Sequence, residues 1–211
     1  MSTRRLHALP PRSHPPGPGP TVLVLGVAIG LLAGYYGGWR DSLLMRVTDV
    51  VMAFPSLILA IGLIAVFEQP GLDKVAFVLV VLGWTTIARV VRGEVLSLKE
   101  RDYVQAARAL GVGHTRILLR HLLPNALGPV IVAATIGVGS NMIAEAGLSF
   151  LGLGAQAPTI SWGSMLAEGQ TFLVSAPWVA FFPGAALLLA VLGINLLGDA
   201  LRDLLDPRFK P

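Results

Sequence analysis

Few side chains in this 211-residue sequence are equipped for covalent chemistry. There is no cysteine, so thiol nucleophiles, thiolate metal sites and disulfides are excluded. Ser140, Ser149 and Ser164 are available nucleophiles, but an activated serine needs a base within hydrogen-bond reach. The four histidines, His7, His14, His114 and His121, fall in the N-terminal tail or in one polar connecting segment, so no Ser and His meet within an apolar stretch. Lys74, Lys99 and Lys210 are the only lysines, and none follows spaced glycines and precedes Ser or Thr as in a phosphate-binding loop. The chain is therefore read as non-catalytic, with no metal site and no cofactor of its own.

What remains is a segment suited to mechanical work, Arg92 to Pro124. Tyr103, Ala106, Ala107 and Leu110 recur at helical spacing, which predicts an apolar stripe on a short helix ended by Gly111 and Gly113. A second short helix follows, with Ile117, Leu118 and Leu122 on its apolar side and Arg116 and Arg120 four apart on a basic side. Pro124 is expected to stop it. Such an element can lie on a membrane surface and present small residues to a partner groove. Periodicity alone fits equally well an interfacial helix resting on anionic headgroups.

The elements that must hold this segment are apolar and long. Charged residues make up 13% of the chain against about 25% in soluble domains, and they cluster between neutral runs, as expected when an ion in hydrocarbon costs about 3 kcal/mol or more. A spanning helix needs about 20 apolar residues. Five runs approach that length: Thr21 to Trp39, Val50 to Phe67, Val75 to Ala88 with extension to Val91, Leu122 to Ala144, and Gly169 to Gly198. Ala146 to Ala167 is also uncharged, but its glycines, Pro158 and serines would leave backbone groups unsatisfied in lipid, so it is read as a loop or a partly inserted segment. Five spans put Arg40 and Arg46, the cluster from Arg89 to Arg120, and Arg202, Arg208 and Lys210 on one side, which the excess of positive charge marks as cytoplasmic. The formal charge of +4 thus reads as a topology signal and not as a nucleic-acid signal.

Smaller features complete the reading. Gly26, Gly30 and Gly34, four apart, predict a helix-packing face on the first span. Pro55 and Pro183 are expected to kink spans. Asp49, Glu145 and Asp199, near span ends, are expected to pair with interfacial Arg46 or Arg202. Residues 1–20, with six prolines, read as a disordered or polyproline tail, and 209–211 as a C-terminal tail.

The order of motifs carries a resemblance. Gln105-Ala106-Ala107, Gly111, Ile117 and Leu123-Pro124 resemble the EAA loop of binding-protein-dependent ABC importer permeases. Ala33 to Trp39, Met45-Arg46 through Phe54-Pro55, Ala88 to Gly93, Arg120 to Asn125, Glu145 to Gly154, Trp162 to Met165 and Asn195 through Pro207 resemble the dipeptide, oligopeptide and nickel branch, over about Thr21 to Arg208. The resemblance implies an all-α type I importer transmembrane domain at residues 21–208, in a bacterial-type inner membrane with its C-terminus cytoplasmic. It implies a permease passing peptides or nickel, paired with a second permease subunit and fed by an extracytoplasmic solute-binding protein. ATP and magnesium would bind cytoplasmic ATPase subunits. Tyr103, Gln105, Ala106, Ala107, Gly111, Ile117, Leu123 and Pro124 would couple to the ATPase. Leu148, Phe150, Leu151 and Trp162 would form the outer gate or binding-protein contact, although a packed loop covering the span ends fits that region as well. A secondary transporter driven by an ion gradient is the rival reading, but it has no need of the coupling loop.

Two departures stand out. Gln105 replaces the usual Glu, removing a charge while keeping hydrogen-bonding capacity. Family members usually begin with a cytoplasmic tail, a further helix and an extracytoplasmic segment, where this sequence has its Pro-rich tail. The odd span count also places Arg4, Arg5 and Arg12 outside. The expectation is a chain lacking the usual N-terminal span, through a misassigned start or a truncation.

Overall fold

The computed structural model describes residues 18–205. Most of the Pro-rich tail, the C-terminal tail, and Arg208 and Lys210 lie outside the described residues. The expected tail boundary at residue 20 shifts, because α1 (Pro18–Tyr36) already begins at Pro18. Proline is tolerated in a first helical turn, where backbone N–H groups have no intrahelical acceptor.

Helix α1 ends where Gly37 and Gly38 both take positive φ, 63° and 58°, a conformation that side chains with a Cβ disfavour. Helix α2 (Gly38–Met52) follows, then α3 (Ser56–Ile64). The sequence suggested one kinked span from Val50 to Phe67; instead the chain turns by 84° between α2 and α3. Pro55 sits at this break and cannot continue the hydrogen-bond ladder. Four further helices, α4 (Leu72–Leu98), α7 (Leu123–Phe150), α8 (Trp162–Gln170) and α9 (Trp178–Leu205), complete the bundle around the connecting helices α5 (Asp102–Ala109) and α6 (His114–Ile117). No strand occurs among the described residues. Four helical segments are long and apolar enough to cross a membrane, five if the bent α2–α3 pair counts as one. Ala146 to Ala167 is not a span: it holds the end of α7, a loop, and part of α8.

Two sets of glycines fix how the long helices pack. A methyl group added at Gly26 would lie 2.6 Å from the Ile87 Cβ, at Gly30 2.5 Å from the Ala88 carbonyl oxygen, and at Gly34 2.8 Å from the Val95 Cβ. Contacts therefore advance along α1 and α4 in the same direction, and the spaced glycines let the two backbones approach, as close packing in lipid demands. Helices α7 and α9 run oppositely: Gly139 faces Val191 and Asn195, while Gly198 faces Thr135 and Ile136.

These directions bring Tyr36, Leu98, the start of α6 and the end of α9 to one end of the bundle. Every described Arg and Lys except Lys74 lies toward that end. Its core joins Leu31 and Tyr35 of α1, Val91 and Val95 of α4, Val104 of α5, Ile117 of α6 and Leu122. A second cluster toward the opposite end joins Ala60, Ile64, Val75, Val78, Leu79 and Leu148. Helix α9 buries only Pro183 and Gly198 and leaves Phe181, Phe182, Leu188 and Leu189 exposed, an apolar face suited to lipid or to another span.

Candidate functional site

The segment joining α4 to α7 folds into a compact corner. After the last carbonyls of α4, the Gln105 side-chain Nε2 donates to the Glu100 carbonyl at 3.2 Å. A carboxylate at this position would be acceptor-only and could not close that bond. The turn after α5 is held by two backbone bonds, Val112 N–H to the Ala107 carbonyl and Gly111 N–H to the Arg108 carbonyl, both 3.0 Å. This is the Schellman arrangement, and it needs the φ of +75° at Gly111.

Helix α5 has two apolar faces, where the sequence suggested one stripe. Val104 is fully buried and Ala107 nearly so, whereas Tyr103 is 43% and Leu110 83% exposed and Gln105 and Ala106 are also exposed. Ala107 therefore leaves the expected outward stripe and packs inward. Tyr103, Ala106 and Leu110, at i, i+3 and i+7, form the outward face. Ile117 is buried in the core, Leu123 is half-buried and Pro124 exposed.

Pro124 does not stop the second helix. From His114 the chain is helical to Phe150, 37 residues, with a π-helical turn at Leu118–Leu122. A proline lacks the amide donor and crowds the carbonyl four residues earlier, and the wider turn just ahead of Pro124 gives its ring room. The outward face of α5 is thus carried on a rod that continues into a spanning helix. Arg116 and Arg120 flank it, exposed and in no ion pair among the described residues.

Charges at this end tie α2 to α4. Arg92 donates from Nε and NH2 to the two carboxylate oxygens of Asp41 at 2.5 and 2.6 Å, and Arg89 donates to Asp49 at 2.6 Å. The paired geometry of Arg92 suits a planar carboxylate. Asp49 therefore takes Arg89, which reaches it from α4, and not the expected Arg46. Glu145 accepts instead from the Ser149 hydroxyl at 2.6 Å, and Asp199 has no cation among the described residues.

At the opposite end, α7 closes on Gly152 with φ +78°: Leu153 N–H bonds the Leu148 carbonyl and Gly152 N–H the Ser149 carbonyl. Ser149, almost fully buried, also accepts from the Ala155 amide at 2.9 Å, pinning the loop to the helix end. Ser161 and Ser164 cap α8 reciprocally. Leu148, expected at an outer contact, is instead fully buried beside Ile64 and Val78, so its role is packing. Phe150, Leu151 and Trp162 are exposed there.

The sequence reading did not find the contacts of Tyr35. Its hydroxyl is hydrogen-bonded to His114 Nδ1 at 2.6 Å, and the Arg108 guanidinium lies 5.1 Å from its ring centroid. The run Ala33 to Trp39 marked the place but not the partners.

Comparison with known proteins bears on this arrangement. A family model described as "Binding-protein-dependent transport system inner membrane component" matches residues 26–211. The chain is 46% identical over 188 residues to the dipeptide transport system permease protein DppC of Alkalihalophilus pseudofirmus, covering 89% of this chain and 62% of that protein. It is 45% identical over 188 residues to the glutathione transport system permease protein GsiD of Pectobacterium atrosepticum, again 89% and 62%. This chain thus spans less than two thirds of the length of these curated relatives. Among solved structures, an inward facing conformation of the MetNI methionine ABC transporter matches with a TM-score of 0.70 at 21% identity, covering 90% of this chain and 89% of that one. At that identity the likeness concerns the fold.

Proposed function

Since the chain belongs to the family of binding-protein-dependent transport system inner membrane components, we propose that it is a permease subunit of an ATP-driven importer for short peptides. The observation that carries the proposal is the exposed Tyr103, Ala106 and Leu110 face, held on a hydrogen-bonded corner at the basic end of the bundle. Exposed apolar side chains there are suited to a groove on a partner protein. The excess of positive charge at the basic end supports reading it as the cytoplasmic end, with α5 and the end of α9 inside the cell.

The partners belong to the same proposal. Cytoplasmic ATPase subunits receive the α5 face, a second permease subunit covers part of the apolar surface of the bundle, and an extracytoplasmic solute-binding protein delivers substrate near Phe150, Leu151 and Trp162. The chain supplies no catalytic group; ATP and magnesium bind the ATPase. Closure of the ATPase pair displaces α5. The continuous helix from His114 to Phe150 carries that movement across the membrane. The names of the relatives, dipeptide and glutathione permeases, support short peptides over nickel as the solute.

Leu110→Asp tests this. The side chain is 83% exposed, so folding is expected to survive. Co-expressed ATPase subunits are expected to co-elute with the native chain and to be lost from the variant. Undiminished co-elution would refute the docking assignment.

A further inference from the structure

The corner that faces the ATPase is joined to the spans in unequal ways. Helix α4 runs into it through Lys99 to Arg101, and α6 leaves it as the start of one rod with α7. Helix α1 has no covalent path to it except through α2, α3 and the whole of α4. Yet α1 is the helix most closely seated on α4, with Gly26, Gly30 and Gly34 against it.

The contacts that reach across are concentrated at the last turn of α1. Tyr35, 8% exposed, touches both arms of the corner: its hydroxyl bonds His114 at the start of α6, and its ring lies under Arg108 at the end of α5. Beside it, Lys99 Nζ donates to the Gly34 carbonyl at 3.3 Å. Among the described residues these are the side-chain polar links between α1 and residues 99–117. Val104 and Ile117 share the apolar cluster with Tyr35, so the polar links close over a dry contact.

We propose that Tyr35 is the positioning residue that transmits displacement of the α5–α6 corner to α1, with His114 and Arg108 as its two grips. This rests on the reading of α5 as the ATPase-facing element and adds to it a branch point: the corner drives α4 and α7 through the chain, and α1 directly through Tyr35 besides the seam with α4. A pull on α5 alone acts on the ring through Arg108, and a rotation of α6 acts on the hydroxyl through His114. Both grips on one side chain make α1 follow the corner as a unit. Without them, α1 follows the corner only indirectly, through its glycine seam with α4.

The absence of cysteine makes the test direct, because labels go only where they are placed. In the complex with its ATPase subunits, spin labels at Thr21→Cys and Val174→Cys report α1 at the opposite end of the bundle; a second pair, Phe77→Cys with Val174→Cys, reports α4. All three positions are exposed. Trapping with ATP and vanadate is expected to shift both distances in the otherwise native chain. In Tyr35→Phe, which keeps the ring and loses the hydroxyl, the α1 pair is expected to lose about fivefold of its shifted population relative to the unshifted one. Tyr35→Ala, which also removes the ring under Arg108, is expected to lose more of it than Tyr35→Phe. In both, the α4 pair still shifts and the ATPase still co-elutes, since Tyr35 lies behind the docking face. A purely structural role would diminish both pairs together, and that result, or an α1 shift unchanged in Tyr35→Ala, overturns the proposal. Should Tyr35→Ala fail to fold, Tyr35→Phe and His114→Ala decide by the same split. If the ATPase does not bind the native complex, the reading of α5 fails first, and that outcome is distinct from a native complex whose α1 ignores Tyr35.

Discussion

Gly30→Ala is the smallest change that should disturb the helix pair on which the corner rests. A methyl at residue 30 would fall 2.5 Å from the Ala88 carbonyl oxygen and 2.6 Å from the Val91 Cβ. Ordinary contacts lie at about 3.5–4.0 Å, so α1 must withdraw by about 1 Å. Neither obstacle can rotate away, because one is backbone and the other a β-branched Cβ within a helix. Overpacking of this kind costs about 1–3 kcal/mol, an about 5- to 150-fold loss in the folded ratio. The control is Gly62→Ala on α3, where nothing lies within 4 Å of the added carbon. There alanine should stabilise by about 0.5–1 kcal/mol through helix propensity. The two variants thus differ in sign. Titrating both with denaturing detergent in mixed micelles, with tryptophan fluorescence as readout, measures the difference. Equal shifts in the same direction would refute the close seating of α1 on α4.

Other substitutions read other joints. Asp41→Asn breaks the paired bonds from Arg92 and should cost about 1–2 kcal/mol in the same titration, with partial recovery when the charges are exchanged as Asp41→Arg with Arg92→Asp; no loss would make the pair incidental. Ser149→Ala removes the bond to Glu145 and orphans the Ala155 amide, for about 1–3 kcal/mol. Its local sign should be faster amide exchange at residues 153–156 than elsewhere. Gly111→Ala forces a Cβ into φ +75° at about 1 kcal/mol. Tryptic cleavage at the exposed Arg108 should accelerate, and an unchanged rate would contradict the turn.

The one-dimensional signals were the ones the sequence revealed. Apolar run length set α1, α4, α7 and α9, because lipid leaves the backbone no other way to satisfy its hydrogen bonds. The glycine row of α1 named its packing face, because spacing by four stays on one side of a helix. Pairwise and directional features were hidden. Pro55 looked like a kink and proved a bend of 84°, since a proline signals a break and not its angle. Pro124 looked like a terminator, yet a π-turn ahead of it carries the helix through. Ala107 shared the spacing of Tyr103 and Leu110, but small-residue periodicity does not say which side is covered. The Asp41–Arg92 and Tyr35–His114 links join residues far apart in sequence, and nothing local to either marks its partner.

ATP dependence of uptake tests the account most directly. The chain would be reconstituted in vesicles with the proposed partners, a second permease, ATPase subunits and a binding protein, and offered labelled dialanine and glutathione. Accumulation is expected only with ATP enclosed on the ATPase side, unchanged when ion gradients are collapsed, and abolished by Leu110→Asp. Uptake that persists without ATP and vanishes with the proton or sodium gradient would contradict the account.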